Sequence, residues 1–207
     1  MKKLLLIAVF LPALALLLKS AFFQRQLAYR WLSLRRILHA LSLLLVLLTL
    51  AGGFLASYTE RIVFHDEATV LSTTAAFLHG QPLYPSASDP VEYGLLYGPA
   101  TYFVYLPPML AGAARLGNYQ AWVTLALAGA FLFSYLALRK YGISASLGGI
   151  AFIAVFVCIF TENEWAIKGD VWILLFSAWG LWASTSWSKW PAAAGVGISG
   201  AALIGLK

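Results

Sequence analysis

One cysteine, Cys158, stands in 207 residues, so no disulfide can close within the chain and no cysteine-based metal cluster can be built from it. Charge is scarce: Asp, Glu, Lys and Arg together make up 11 % of the residues, against roughly a quarter in soluble domains. Acid is scarcer still, with 8 carboxylates facing 14 Lys and Arg, a formal net charge of +6. The chain has no GxGxxG, Walker loop, HExxH or GxSxG pattern, which removes the commonest nucleotide, metalloprotease and serine-hydrolase signatures. Its long apolar runs hold no acid and, apart from His39, no titratable base. That argues against a proton-coupled or ATP-driven pump, whose spans carry such groups at the midplane.

Apolar surface is abundant: 61 % of residues are hydrophobic and the mean hydropathy is +0.81. This composition predicts an integral membrane protein, all-α, a polytopic transmembrane helical bundle. The cations cluster beside apolar runs, so they read as topology signals rather than as a nucleic-acid footprint. Residues 4–18 are apolar, follow Lys2-Lys3 and contain Pro12; they suit a first span or a signal-type segment. Residues 19–36 carry Lys19, Arg25, Arg30, Arg35 and Arg36 among aromatics and no acid, as befits a cytoplasmic headgroup region. Two parts follow: residues 1–36, an apolar segment with a basic stretch, and residues 37–207, a transmembrane domain. Spans are expected at 37–58, 120–138, 143–161, 171–185 and 191–206, the last two being short.

Residues 95–113 decide the topology. They are apolar enough to span, but Pro99, Pro107 and Pro108 interrupt them. If they cross, the two acidic stretches (Glu60 to Glu92, and Glu162 to Asp170) lie on opposite sides of the bilayer. If they lie along or dip into the outer interface, every carboxylate faces outward and Arg139-Lys140 and Lys189 face the cytoplasm. The positive-inside rule and the prolines favour the second arrangement. The outer loop then carries an amphipathic juxtamembrane helix from Glu67 to His79. Asp66 is its N-cap, Val70, Leu71, Thr74 and Leu78 form one stripe, and Gly80 is its stop.

Asp66 and Glu67 are the sharpest chemical feature. A carboxylate at the mouth of a span can take a proton from an acceptor hydroxyl when it lies within hydrogen-bond reach. On local sequence alone a plain helix cap is the simpler account. Lys168 can neutralise a phosphate leaving group, and Asp170 can orient a hydroxyl or cap the next helix. Solvated loop charges are the simpler account of that cluster. Tyr97 and Tyr102, in the run Tyr93 to Pro108, suit either interfacial anchoring or a sugar or polyprenyl surface. His65 and His79 flank the short helix, but no spacing specifies a metal.

The order of these pieces resembles the GT-C superfamily of membrane glycosyltransferases, nearest the protein O-mannosyltransferase, aminoarabinose-transferase and Rgt-like group. The resemblance rests on FHDEATVLSTTAAFLHGQPLYP (64–85), YGPATYFVYLPPMLA (97–111), KGDVWILLFSAWGLW (168–182) and the closing GISGAALIGLK (197–207). It implies Asp66 as general base, Glu67 as its supporting neighbour, Asp170 as the later loop acid and Lys207 near the donor phosphate. It implies a polyprenyl-phosphate sugar donor, a glycan, lipid or protein acceptor, no required cofactor and no resident metal. Relatives often have Arg-Pro where Lys168-Gly169 stands, and they continue for several spans beyond the helix that ends here, so the chain is expected to be the N-terminal part of such an enzyme. The expected location is the bacterial plasma membrane, multi-pass, with the site facing outward and membrane lipids around it. The other reading is a non-catalytic membrane protein, a scaffold or a lipid-handling transporter subunit, in which the acids are caps and loop charges.

Overall fold

A computed structural model describes residues 21–59, 66–83, 98–112, 115–160 and 170–206. Among these residues every regular element is helical. In chain order they are α1 (Ala21–Thr59), α2 (Asp66–Leu78), α3 (Pro99–Phe103), α4 (Leu106–Leu110), α5 (Leu116–Leu138), a single 3-10 turn (Arg139–Tyr141), α6 (Ile143–Phe160), α7 (Asp170–Ser186) and α8 (Lys189–Leu206). The chain divides into two compact units with the boundary between Leu41 and Ser42. The first contains the early turns of α1, where Ile37, Leu38 and Leu41 are exposed. The span expected at 37–58 falls within the apolar stretch Leu34–Thr59 of this helix, and α1 extends back through the basic residues from Arg25 to Arg36.

The second unit is built around α5. Val123, Leu127 and Ala130 have no exposed surface, and Thr124 and Gln120 are buried beside them. α7 runs alongside α5 in the same direction. Trp122 meets Trp172 with ring centroids 5.8 Å apart, Leu175 lies against Gly129, and Phe133 stacks on Trp182 at 5.2 Å. α8 returns antiparallel along α7. The Ser199 hydroxyl donates to the Phe176 carbonyl, and a methyl placed on Gly195 would come within 2.7 Å of Ala183 Cβ. Small residues let these two backbones approach closely, the usual basis of helix association in lipid. α6 folds back on α5 through a turn closed by Gly142 at φ 100°.

These directions define two ends. The α5–α6 and α7–α8 turns share one, which carries Arg139, Lys140 and Lys189. At the opposite end lie the C-terminal turns of α1 and α8, the first turns of α5 and α7, and the short helices α2, α3 and α4.

The segment expected at 95–113 is broken, and proline chemistry explains how. α3 and α4 span only Pro99 to Leu110, about 18 Å even if it were one straight helix, well short of the roughly 30 Å hydrocarbon core. Pro107 and Pro108 lack the N–H groups that would bond the carbonyls of Phe103 and Val104, so the helix cannot continue through them. The orphaned Val104 carbonyl accepts instead from Trp122 Nε1 at 2.8 Å. Tyr105 is fully buried and accepts from Trp172 Nε1 at 3.2 Å. The Thr101 hydroxyl donates to the Leu206 carbonyl at 3.0 Å, satisfying one of the last carbonyls of α8. Gly112, at φ 79°, ends the segment. It is therefore pinned to α5, α7 and α8 rather than free to straighten.

The amphipathic helix is present as α2, with one correction to its buried stripe. Val70, Thr73 and Thr74 are buried and Phe77 packs edge-on to Phe103 at 5.5 Å, while Leu78 is exposed. Positions 70, 73, 74 and 77 follow the i, i+3, i+4, i+7 rule; Leu78, at i+8, lies on the same stripe in the last turn but is 38 % exposed. The stop is as expected. Gly80 sits at φ 82°, its N–H bonds the Phe77 carbonyl, and the Gln81 N–H bonds the Ala76 carbonyl, a complete Schellman closure.

Two helices are long and apolar enough to cross a membrane, Leu34–Thr59 and Leu116–Tyr141. α6, α7 and α8 are apolar but shorter, 18, 17 and 18 residues.

Candidate functional site

The opposite end of the second unit is where the sequence-derived candidates collect. Asp66 and Glu67 are the first two residues of α2, and Asp170 is the first of α7, exposed. Acids in a first turn face the positive end of the helix dipole, a local reason for each to be there that involves no substrate. What fixes the α7 start is Trp172, two residues on, buried and bonded to Tyr105. α2 is held to the same end by Val70, Thr74 and Phe77. Tyr102 is only 1 % exposed, inside the core. It and Tyr105 are thus packing residues, and neither ring stands at a water boundary. Tyr97, Lys168 and Lys207 lie outside the described residues, as do His65 and the loop from Glu162 to Gly169. Among the described residues, no three His, Cys, Asp or Glu come together to hold a metal ion.

An open cleft of about 740 Å³ lies at this end, between the last turn of α1 and the first turns of α5. Phe54, Ser57, Tyr58 and Thr59 form one wall, and Arg115, Gly117, Asn118 and Ala121 the other. The volume is that of a small-molecule site. Ser57 donates to the Phe54 carbonyl at 2.7 Å and Thr59 to the Ala56 carbonyl at 3.0 Å. Both hydroxyl hydrogens are therefore engaged, and the two oxygens face any ligand as acceptors. Arg115 is exposed and makes no ion pair among the described residues. It precedes α5, whose first turn has no side-chain cap.

The chain matches no protein-family model, no curated protein and no solved structure. Its chemistry has to be read from this end alone.

Sequence reasoning missed the cleft because its two walls are more than fifty residues apart. A signal was present in Arg115, a cation between the proline-broken segment and the long apolar run of α5.

Proposed function

We propose that the chain belongs to a polytopic membrane glycosyltransferase of GT-C type, in a bacterial plasma membrane, with its site at the outer face. One observation carries the reading. α2, which opens with Asp66 and Glu67, packs through Phe77 on Phe103 at the end of the bundle where α7 begins with Asp170, and Arg139, Lys140 and Lys189 lie at the other. Cations of that kind mark a cytoplasmic face, so the carboxylates belong on the outer one. Trp187 and the 86 % exposed Trp190 beside Lys189 suit an interfacial belt. Exposed Leu43, Leu47, Leu55, Leu132, Phe152, Ile198 and Ile204 on four helices make more apolar surface than a soluble monomer tolerates, which supports a lipid environment.

In the proposed reaction Asp66 takes the proton of an acceptor hydroxyl as its oxygen attacks the anomeric carbon of a polyprenyl-phosphate sugar. The bond from that carbon to the phosphate oxygen breaks, both electrons leave with the phosphate, and the configuration inverts. The logic is that of the inverting glycosidases, where a base activates the nucleophile behind an oxocarbenium-like centre. A phosphate needs no general acid to leave; Lys168 and Lys207 would stabilise its charge. Glu67 and Asp170 would orient the base and the acceptor.

Asp66→Asn in the full-length protein tests the assignment, since it keeps the shape and removes the base. Transfer from a radiolabelled polyprenyl-phosphate sugar is expected to fall at least about a hundredfold, the usual range of general-base loss. Unchanged transfer by a normally folded variant sinks the reading.

The second reading, a non-catalytic membrane protein, has its own observation in favour: Asp66 and Asp170 both open helices, where a carboxylate serves the helix dipole. Under it Asp66→Asn lowers the unfolding midpoint slightly, and the protein retains no polyprenyl-phosphate sugar.

A further inference from the structure

We infer that the cleft between α1 and α5 holds the headgroup of an anionic, hydroxyl-bearing membrane phospholipid, of the phosphatidylglycerol class. The inference needs α1 and α5 to cross a bilayer; it does not need glycosyl transfer, and the two fail separately.

The chemistry of the walls selects the ligand. Arg115 offers a planar, permanently charged donor fork without a carboxylate partner among the described residues, and guanidinium geometry matches a phosphate. Asn118, in the first turn of α5, lines the same wall as Arg115. The uncapped first turn of α5 adds partial positive charge on the same wall. The facing wall asks for something different. The Ser57 and Thr59 hydroxyls donate to carbonyls of their own helix and so present oxygen lone pairs as acceptors. A ligand that satisfies both walls carries a phosphate and hydroxyl donors a few ångströms apart, as a glycerol phosphodiester does. A choline headgroup has no donor for Ser57 and Thr59, and its cation would face Arg115.

The surroundings supply the rest of the lipid. Phe54 lines the cleft, and Leu55, Leu48 and Leu47 continue along α1, each at least 60 % exposed, as a track for acyl chains. Tyr58, 86 % exposed at the rim, has the ring-and-hydroxyl character of a headgroup-level anchor.

The test is native mass spectrometry of the full chain in detergent, with dioleoylphosphatidylglycerol and dioleoylphosphatidylcholine present at equal concentration. Wild type is expected to retain phosphatidylglycerol in preference. Arg115→Gln should reduce that adduct about tenfold, the worth of one charge-assisted hydrogen bond. Arg139→Gln, at the other end, should leave it unchanged. If Arg115→Gln does not fold, Asn118→Ala and the charge-keeping Arg115→Lys take its place, with partial loss expected in both. Equal retention of the two lipids, or equal phosphatidylglycerol retention by wild type and every folded Arg115 or Asn118 variant, overturns the proposal. Binding of inorganic phosphate alone with the same Arg115 dependence, and no gain from the lipid, would make this a site for a soluble anion and equally overturn it.

Discussion

α1 and α5 meet the same demands of length and hydropathy, yet they meet their surroundings differently. Of the most apolar stretch of α5, 44 % is buried; of that of α1, only 17 %. The difference lies in where the small and polar side chains fall. Around α5 they are distributed widely, with Gln120, Thr124, Ala126, Ala130, Ser134 and Ala137 all buried, so several neighbours approach it. On α1, between Leu34 and Thr59, only Val46, Thr49 and Gly53 are buried, and leucines make up most of the exposed large apolar side chains. Leucine serves well against acyl chains, whereas small residues and hydroxyls serve against other helices.

The largest effect that would break this contrast is a matched pair of truncations. Leu127→Ala on α5 removes a side chain with no exposed surface and is expected to cost about 2–5 kcal/mol. Leu47→Ala on α1, where the side chain is 62 % exposed, is expected to stay within about 0.5 kcal/mol. Both are read from unfolding midpoints in detergent. Equal losses would mean that α1 is covered by protein in the native assembly and that its leucine face is an interface.

A middle-sized effect is expected where α5 repairs the proline break. Trp122→Phe keeps the ring in place but removes the only donor that reaches the Val104 carbonyl in helical register, since Pro108 has none. The expected cost is about 1–3 kcal/mol, that of a buried acceptor left unpaired. Pro108→Ala restores an N–H at the helical position, so the double variant should lose less than the sum of its parts. A double-mutant cycle measures the coupling directly; strict additivity would show that Trp122 acts by packing alone.

The sequence was most legible where one physical signal dominated. Apolar runs bounded by charge placed the starts and ends of α5, α6, α7 and α8 within a few residues, and the prolines foretold that 95–113 would not form one helix. Gly80 announced its left-handed stop. Legibility failed where a choice depended on neighbours far along the chain. Leu78 is as apolar as Phe77, and only the position of Phe103 makes Phe77 the residue that turns inward. Tyr102 and Tyr105 have the composition of an interfacial belt, and only Trp172 and Leu206 draw their segment into the core. Of the candidate site, the places of Asp66, Glu67 and Asp170 at helix starts were legible, but the Arg115 cleft was not, because Tyr58 and Arg115 are joined by nothing a local pattern can register.

The smallest effect tests whether polar contacts on α1 are of the same kind as those on α5. Thr49 is 3 % exposed, and its hydroxyl lies 3.4 Å from Cys158 Sγ on α6, so it resembles an interhelical tie. Its hydrogen, however, goes to the Leu45 carbonyl at 2.8 Å, one turn back in its own helix. That leaves the contact to a thiol, a weak donor. Thr49→Val keeps the branched shape, and the Leu45 carbonyl retains the backbone N–H of residue 49. No group is orphaned, unlike the Val104 carbonyl in Trp122→Phe. The expected change is below about 1 kcal/mol, and removing a buried hydroxyl can even stabilise. A loss as large as that of Trp122→Phe would mean that the thiol contact ties α1 to α6 in earnest, and the contrast between a lipid-directed α1 and a protein-directed α5 would then rest on side-chain exposure alone.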